Sequence, residues 1–347
     1  MKRVRLDVIA AVALLAILSG APAAGPTSPA DGASLVWPPP PAAPGVRFVR
    51  SIATPADWGI GTTLFGRIAD AIGGKSDDRF VRPTGVTERD GVLYVADPGA
   101  PALWILDARE NRVLKIDHLG DARLVSPVAV APGPEGTVFV ADSVLKQVFA
   151  VDSGGRRLGV AAAQGLERPV GLVFDAQERN LYVADSVAHR VSVFGPDGAL
   201  IRSFGGRGAG DGELNGPAYL ALGRDGTLLV TDAFNFRVTA FDRTGQFRWK
   251  MGRAGDGSGD FAAPKGIALD AAGHLYVVDA LFDVVQVFDA RGSLLFAFGQ
   301  HGAGAGEFWL AGGLFISPQD DIYVADSYNR RIQHFRQVND AAERGAR

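Results

Sequence analysis

Short apolar runs alternating with polar residues recur along most of the chain, each bounded by glycine, proline or aspartate. The clearest run ends in Asp every time: Leu93-Tyr94-Val95-Ala96-Asp97, Val138-Phe139-Val140-Ala141-Asp142 and Leu181-Tyr182-Val183-Ala184-Asp185. It returns as Leu228-Leu229-Val230-Thr231-Asp232, Leu275-Tyr276-Val277-Val278-Asp279 and Ile322-Tyr323-Val324-Ala325-Asp326. The Asp residues stand 43–47 positions apart. Val always stands two places before the Asp and an aliphatic residue four before. An apolar residue follows at six places, and Leu, Val or Phe at nine. Those offsets predict two alternating strands joined by a turn of about five residues. Upstream, Pro83, Pro127, Pro169, Pro217 and Pro264 introduce a short apolar strand, and a fourth strand follows at 200–204, 247–251 and 294–298.

Each unit is thus a four-stranded antiparallel meander, and six copies are present. One meander cannot bury both faces, so copies must pack face to face, and a closed ring leaves few exposed edges. The sixth unit stops after its third strand, near Phe335. Its missing outer strand is supplied by residues 46–52, which close the ring. The expected fold class is all-β: a six-bladed β-propeller of four-stranded antiparallel blades, the last closed by an N-terminal strand. Within it, Pro-x-Gly, then Leu/Ile-Tyr-Val-Ala-Asp, then Asn-x-Arg-Val/Ile resembles the NHL repeat. The fullest copies are Asp232-Ala233-Phe234-Asn235-Phe236-Arg237-Val238 and Asp326-Ser327-Tyr328-Asn329-Arg330-Arg331-Ile332. The resemblance covers roughly residues 80–336, and the first two copies lack the Asn and the Arg. It implies an architecture rather than an activity, because such propellers include binding modules, scaffolds and some enzymes.

Composition changes this picture at the N-terminus. Lys2, Arg3 and Arg5 precede an apolar stretch at 8–18, and Ala21-Pro22-Ala23 offers a cleavage site. That is the pattern of a secretory signal over 1–23, followed by a Pro/Ala-rich linker at 24–45. The propeller then spans 46–336, and 337–347 reads as a disordered tail. A periplasmic or secreted location follows, with membrane attachment only if the signal stays uncleaved. Cysteine is absent, which removes disulfides, thiol catalysis and Cys-based zinc sites. Net charge is −3 with no long basic run, so no nucleic-acid partner is expected.

The six repeated Asp residues (Asp97, Asp142, Asp185, Asp232, Asp279 and Asp326) stand where a strand meets its turn. A carboxylate there accepts turn N–H groups, and Arg190, Arg237 and Arg331 stand five places on to pair with it. Present in every blade, these Asp read as structural. Residues that differ between blades, on the face carrying the inner-strand entries and the turns after each Asp, carry the functional expectation. They are Arg82, Lys146, Arg168, His189, Phe234, Lys265, Phe282 and Tyr328, with Asn215, Asp283 and Trp309 beside them. Arg82, Arg168 and Lys265 would receive an acidic group, and the aromatic residues would anchor an interface. An insert at 53–82, with Leu64, Phe65, Ile68 and Ile72 at helical spacing, either caps this face or fills the closure seam.

No catalytic residues and no metal ligands are assigned. The five His residues occupy different offsets, the inner-strand entries carry no Asp or Glu, and no G-x-S-x-G, H-E-x-x-H or phosphate loop occurs. The expectation is a non-enzymatic, monomeric binding or scaffold propeller for a protein or peptide partner in the cell envelope. No cofactor is expected, with a channel-bound divalent ion left open. The alternative is a metal-dependent lyase or hydrolase at the channel mouth, like peptidyl-hydroxyglycine lyases or gluconolactonases.

Overall fold

A computed structural model describes residues 35–40, 42, 43, 45–61 and 78–338. The expected signal sequence, the helical positions 64–72 and the tail from 339 lie outside the described residues. Six blade sheets of antiparallel strands follow one another along the chain, with a two-stranded ribbon of His118–Leu119 and Ala122–Arg123 between the first two. Blade 3 is representative, running from Pro169–Asp175 on the inside through Asn180–Asp185 and Arg190–Phe194 to Leu200–Gly205 on the outside. Inner strands touch in succession, and that of blade 6 (Leu314–Ile316) meets that of blade 1 (Gly85–Arg89), so the ring is closed.

The burial of each strand explains why its sequence signal is strong or weak. Second strands such as Val92–Asp97 and Asn180–Asp185 are buried at every residue, because neighbouring blades cover both faces. They therefore read as unbroken apolar runs. Outer strands cover a neighbour with one face only, so Leu200–Gly205 alternates between half-buried and exposed. Each interblade seam also holds a plug three residues before the proline position: Phe80, Leu124, Leu166, Leu214, Phe261 and Phe308, none more than 6% exposed. Burying such a side chain stabilises by about 1.5–3 kcal/mol.

Closure uses both chain ends. Val46–Ile52 lies antiparallel to Arg331–Gln337, with Phe48 opposite Phe335 and Ile52 opposite Ile332. The structure departs from the expected linker here. Val36–Trp37 adds a fifth strand outside Val46–Ile52, and Trp37 packs 6.1 Å from Phe298 and 5.9 Å from Phe335. Packing the half-buried indole against two rings holds this extended segment on the blade. At the other end Gln337 still belongs to the last strand, and the Val338 N–H donates to Gly45 O.

The described part of the insert after Ile52 runs along the closure seam. Its Pro55–Trp58 turn sends the Trp58 indole N–H to Gly91 O, and Gly61 bonds the side chain of Asn111. Gly91 and Asn111 lie in turns of the opposite face. The described part thus descends the seam between blades 6 and 1, with Trp58 and Ile60 each 6% exposed in its core.

Candidate functional site

All six repeated Asp residues are fully buried. In blade 1, Asp97 accepts the N–H groups of Val81 and Arg82 from the entry loop and those of Gly99 and Ala100 from its own turn. Asp142 and Asp279 do the same in blades 2 and 5, and Asp185 accepts Glu167, Arg168 and Ala188 in blade 3. Blades 4 and 6 substitute side chains for some of these donors. Asp232 accepts Asn235 and Arg237, and Asp326 accepts Asn329, Arg331 and Gln333. Each Arg also reaches three carbonyls of the preceding Gly-rich connector, fastening it to the blade. Arg190 differs: its connector is short, and the guanidinium bonds Gly165 O at 2.7 Å instead of Asp185.

Beneath this face the inner strands are drawn together. Gly266 N–H donates to Gly312 O, Gly313 N–H to Thr84 O, and the Thr84 hydroxyl to Val128 O. The glycine of Pro-x-Gly makes the approach possible: a Cβ on Gly171 would stand 2.3 Å from Ala218 O. Tyr219 of blade 4 then crosses the axis, and its hydroxyl donates to Thr84 O of blade 1 at 3.2 Å. Desolvation raises the Tyr219 phenol well above its ordinary pKa, so it stays a neutral donor. A cavity of about 1060 Å³ opens on the opposite face among Phe174, Arg179, Leu222, Asp270 and Phe315. It shares Phe174, Leu222 and Phe315 with a throat of about 210 Å³ that Tyr219 also lines.

The residues singled out from sequence all lie on the entry face but occupy three kinds of place. Arg82 and Arg168 are exposed and lend their backbone N–H groups to Asp97 and Asp185. Lys265 is solvent-accessible on the innermost strand. Crowding by the mouth desolvates its ammonium and pulls the pKa below the ordinary value. Lys146 and His189 close their turns in the left-handed region, at φ 58° and 54°. The His189 Nδ1 accepts Gly216 N–H and so ties blade 3 to blade 4. Phe282 is half-buried in the Asp279 turn, while Phe234 and Tyr328 are 67% and 50% exposed.

Those last two belong to a column that sequence reading overlooked. Two places after the Asp stand Val144, Val187, Phe234, Leu281 and Tyr328, all large, apolar or aromatic, and 47–67% exposed. They form a ring of turn tips over five blades. Blade 1 has Gly99 instead, where an added Cβ would meet Arg82 at 2.8 Å. The signal was present in the alignment of the six Asp. A single apolar residue in one turn, however, is indistinguishable from individual variation. Among the described residues, no three His, Asp or Glu side chains converge as a metal site requires.

A family model described as a six-bladed β-propeller matches residues 214–284, and the NHL repeat model matches 166–194 and 308–335. The chain is an NHL-repeat six-bladed β-propeller. A bovine relative, NHL repeat-containing protein 2 of Bos taurus, is 26% identical over 196 residues, covering 41% of this chain and 27% of that protein. The NHL propeller thus spans about a quarter of the curated relative it matches. Among solved structures it is similar to virginiamycin B lyase of Staphylococcus aureus (TM-score 0.56, 14% identity, 74% of this chain and 96% of that one). It is also similar to a chain of a nidogen/laminin complex (TM-score 0.53, 20% identity, 71% and 86%). A Bacteroides thetaiotaomicron protein of unknown function gives TM-score 0.63 at 16% identity, over 85% and 76%. At these identities the likeness is one of fold.

Proposed function

We propose that this protein is a non-enzymatic, exported binding propeller that docks a protein partner on its entry face. The observation that carries the reading is the exposed ring of Val144, Val187, Phe234, Leu281 and Tyr328. Soluble proteins seldom expose apolar side chains at the same place in repeat after repeat unless something covers them. Inside the ring, Arg82, Arg168 and Lys265 supply cations for which no carboxylate partner occurs among the described residues. An acidic group of the partner suits that centre. Export rests on the basic and apolar N-terminal residues of the sequence.

The test is quantitative capture of envelope proteins by the wild type and by a Phe234→Ser/Leu281→Ser double variant. Both residues are exposed, so the thermal midpoint should hold while capture of the specific partner falls at least tenfold, as for interface anchors. Equal capture by the two proteins would remove the ring from any docking role. A stoichiometric divalent metal in the purified protein, found by elemental analysis, would favour a lyase or hydrolase instead.

A further inference from the structure

One sector of this face differs from the other five. Blade 6 enters through Trp309-Leu310-Ala311, where the other blades have proline at the third position. Leu310 lies in the left-handed region at φ 49°, which disfavours a side chain of this size. Its N–H donates to Asp283 Oδ1 at 2.7 Å, and the other oxygen of that carboxylate accepts His301 Nδ1–H, also at 2.7 Å. Trp309 is fixed from both sides: its N–H donates to Asp326 and its carbonyl accepts Tyr328 N–H. Strain held by a buried carboxylate, beside an exposed aromatic residue, is characteristic of a binding position.

The result is a row of three rings. Trp309 lies 5.7 Å from Tyr328 at 39° and 6.2 Å from His301 at 76°. Trp309 is 46% exposed, Tyr328 50% and the His301 side chain 71%. Within the described protein, the indole N–H, the phenol O–H and the His301 Nε2 bond to nothing else. The first two of these are donors.

We propose that this sector takes a proline-rich segment of the partner in the polyproline II conformation, an inference resting on the docking role of the face. A prolyl residue presents a carbonyl to a donor and has no N–H to leave unpaired. Its flat ring packs on indole and phenol, and the preformed helix loses little conformational entropy on binding.

The experiment titrates a decaproline peptide into the full protein and into the Trp309→Ala and Trp309→Phe variants, by calorimetry. The wild type should bind saturably. Trp309→Ala should weaken binding at least tenfold and Trp309→Phe by an intermediate factor, since it keeps the ring and loses the N–H, all at an unchanged thermal midpoint. No saturable binding at millimolar peptide, or equal affinity in Trp309→Ala, overturns the proposal. So does saturable binding of a cello-oligosaccharide that Trp309→Ala abolishes, which would assign the rings to a glycan. If Phe234→Ser/Leu281→Ser loses the envelope partner while Trp309→Ala retains it, this proposal fails and the docking face stands.

Discussion

Arg331 shows how a repeat motif that looks like chemistry serves architecture. Its guanidinium meets the buried Asp326 at 2.7 Å and three carbonyls of the Gly-rich connector, with the Arg side chain 11% exposed. Burial pushes the Asp326 carboxyl up, and Trp309 N–H, Asn329 and Arg331 push it back down. Arg331→Ala strands a buried carboxylate and frees the connector. It should cost about 3–5 kcal/mol in urea unfolding. Arg253→Ala removes a pair whose Arg side chain is 82% exposed, and should change stability by no more than about 1 kcal/mol. Equal losses would mean that the motif Arg does not hold the connector. The repeated Asp was legible because every blade repeats it. Val144 and Leu281 were not, because polar turns are the prior expectation and only exposure separates a surface anchor from a core residue.

At the scale of the element, the closing strand carries a pH dependence. His334 lies opposite Arg50 of Val46–Ile52, stacks 4.7 Å from Tyr323, and bonds Asp321 through Nε2 at 2.7 Å. Its buried Nδ1 has no partner. Desolvation lowers the pKa of the imidazole and the facing Arg50 and Arg336 lower it further, against the opposing pull of Asp321. The unfolded chain therefore takes up the proton first, near the ordinary value of about 6.5. Stability should be full above that pH and fall as the pH drops through it towards the lower folded value. In His334→Phe the fall in thermal midpoint between pH 7 and pH 5 should be smaller. An identical pH profile would exclude His334 as its source. The strand itself was legible from the truncated sixth unit. Val36–Trp37 was not: two residues among prolines carry no periodicity, and the aromatic seam that captures Trp37 exists only in the folded ring.

For the whole molecule, closure depends on glycines at the axis. Gly171→Val would drive a side chain into the Ala218 carbonyl of the next blade, a contact that only movement of one blade against another relieves. A loss of about 1–3 kcal/mol or more is expected, read as a lower thermal midpoint of a single transition. Gly159, on an outer strand with nothing within 4 Å of an added Cβ, should accept Ala at little cost. If the two variants melt together, the inner ring is not held by close approach. The six-fold architecture was legible because repetition multiplies a weak signal. The path of residues 53–61 was not, since Trp58 and Ile60 fit a cap and a seam equally until Trp58 is seen to reach Gly91.

The use of Val46–Ile52 to complete the last blade also sets an order of events in time. The ribosome makes this strand before blade 1, and its partner Arg331–Gln337 only after blades 1 to 5 are complete. At about 5–20 residues per second, the wait is roughly a quarter of a minute to a minute. Throughout it, a seven-residue strand with Val46, Phe48, Val49 and Ile52 lacks this partner and has only the two residues of Val36–Trp37 to pair with. Arg47 and Arg50 interrupt that apolar run, and charges so placed discourage pairing with other nascent chains. The same two arginines that flank the finished seam thus guard the strand while its partner is still missing.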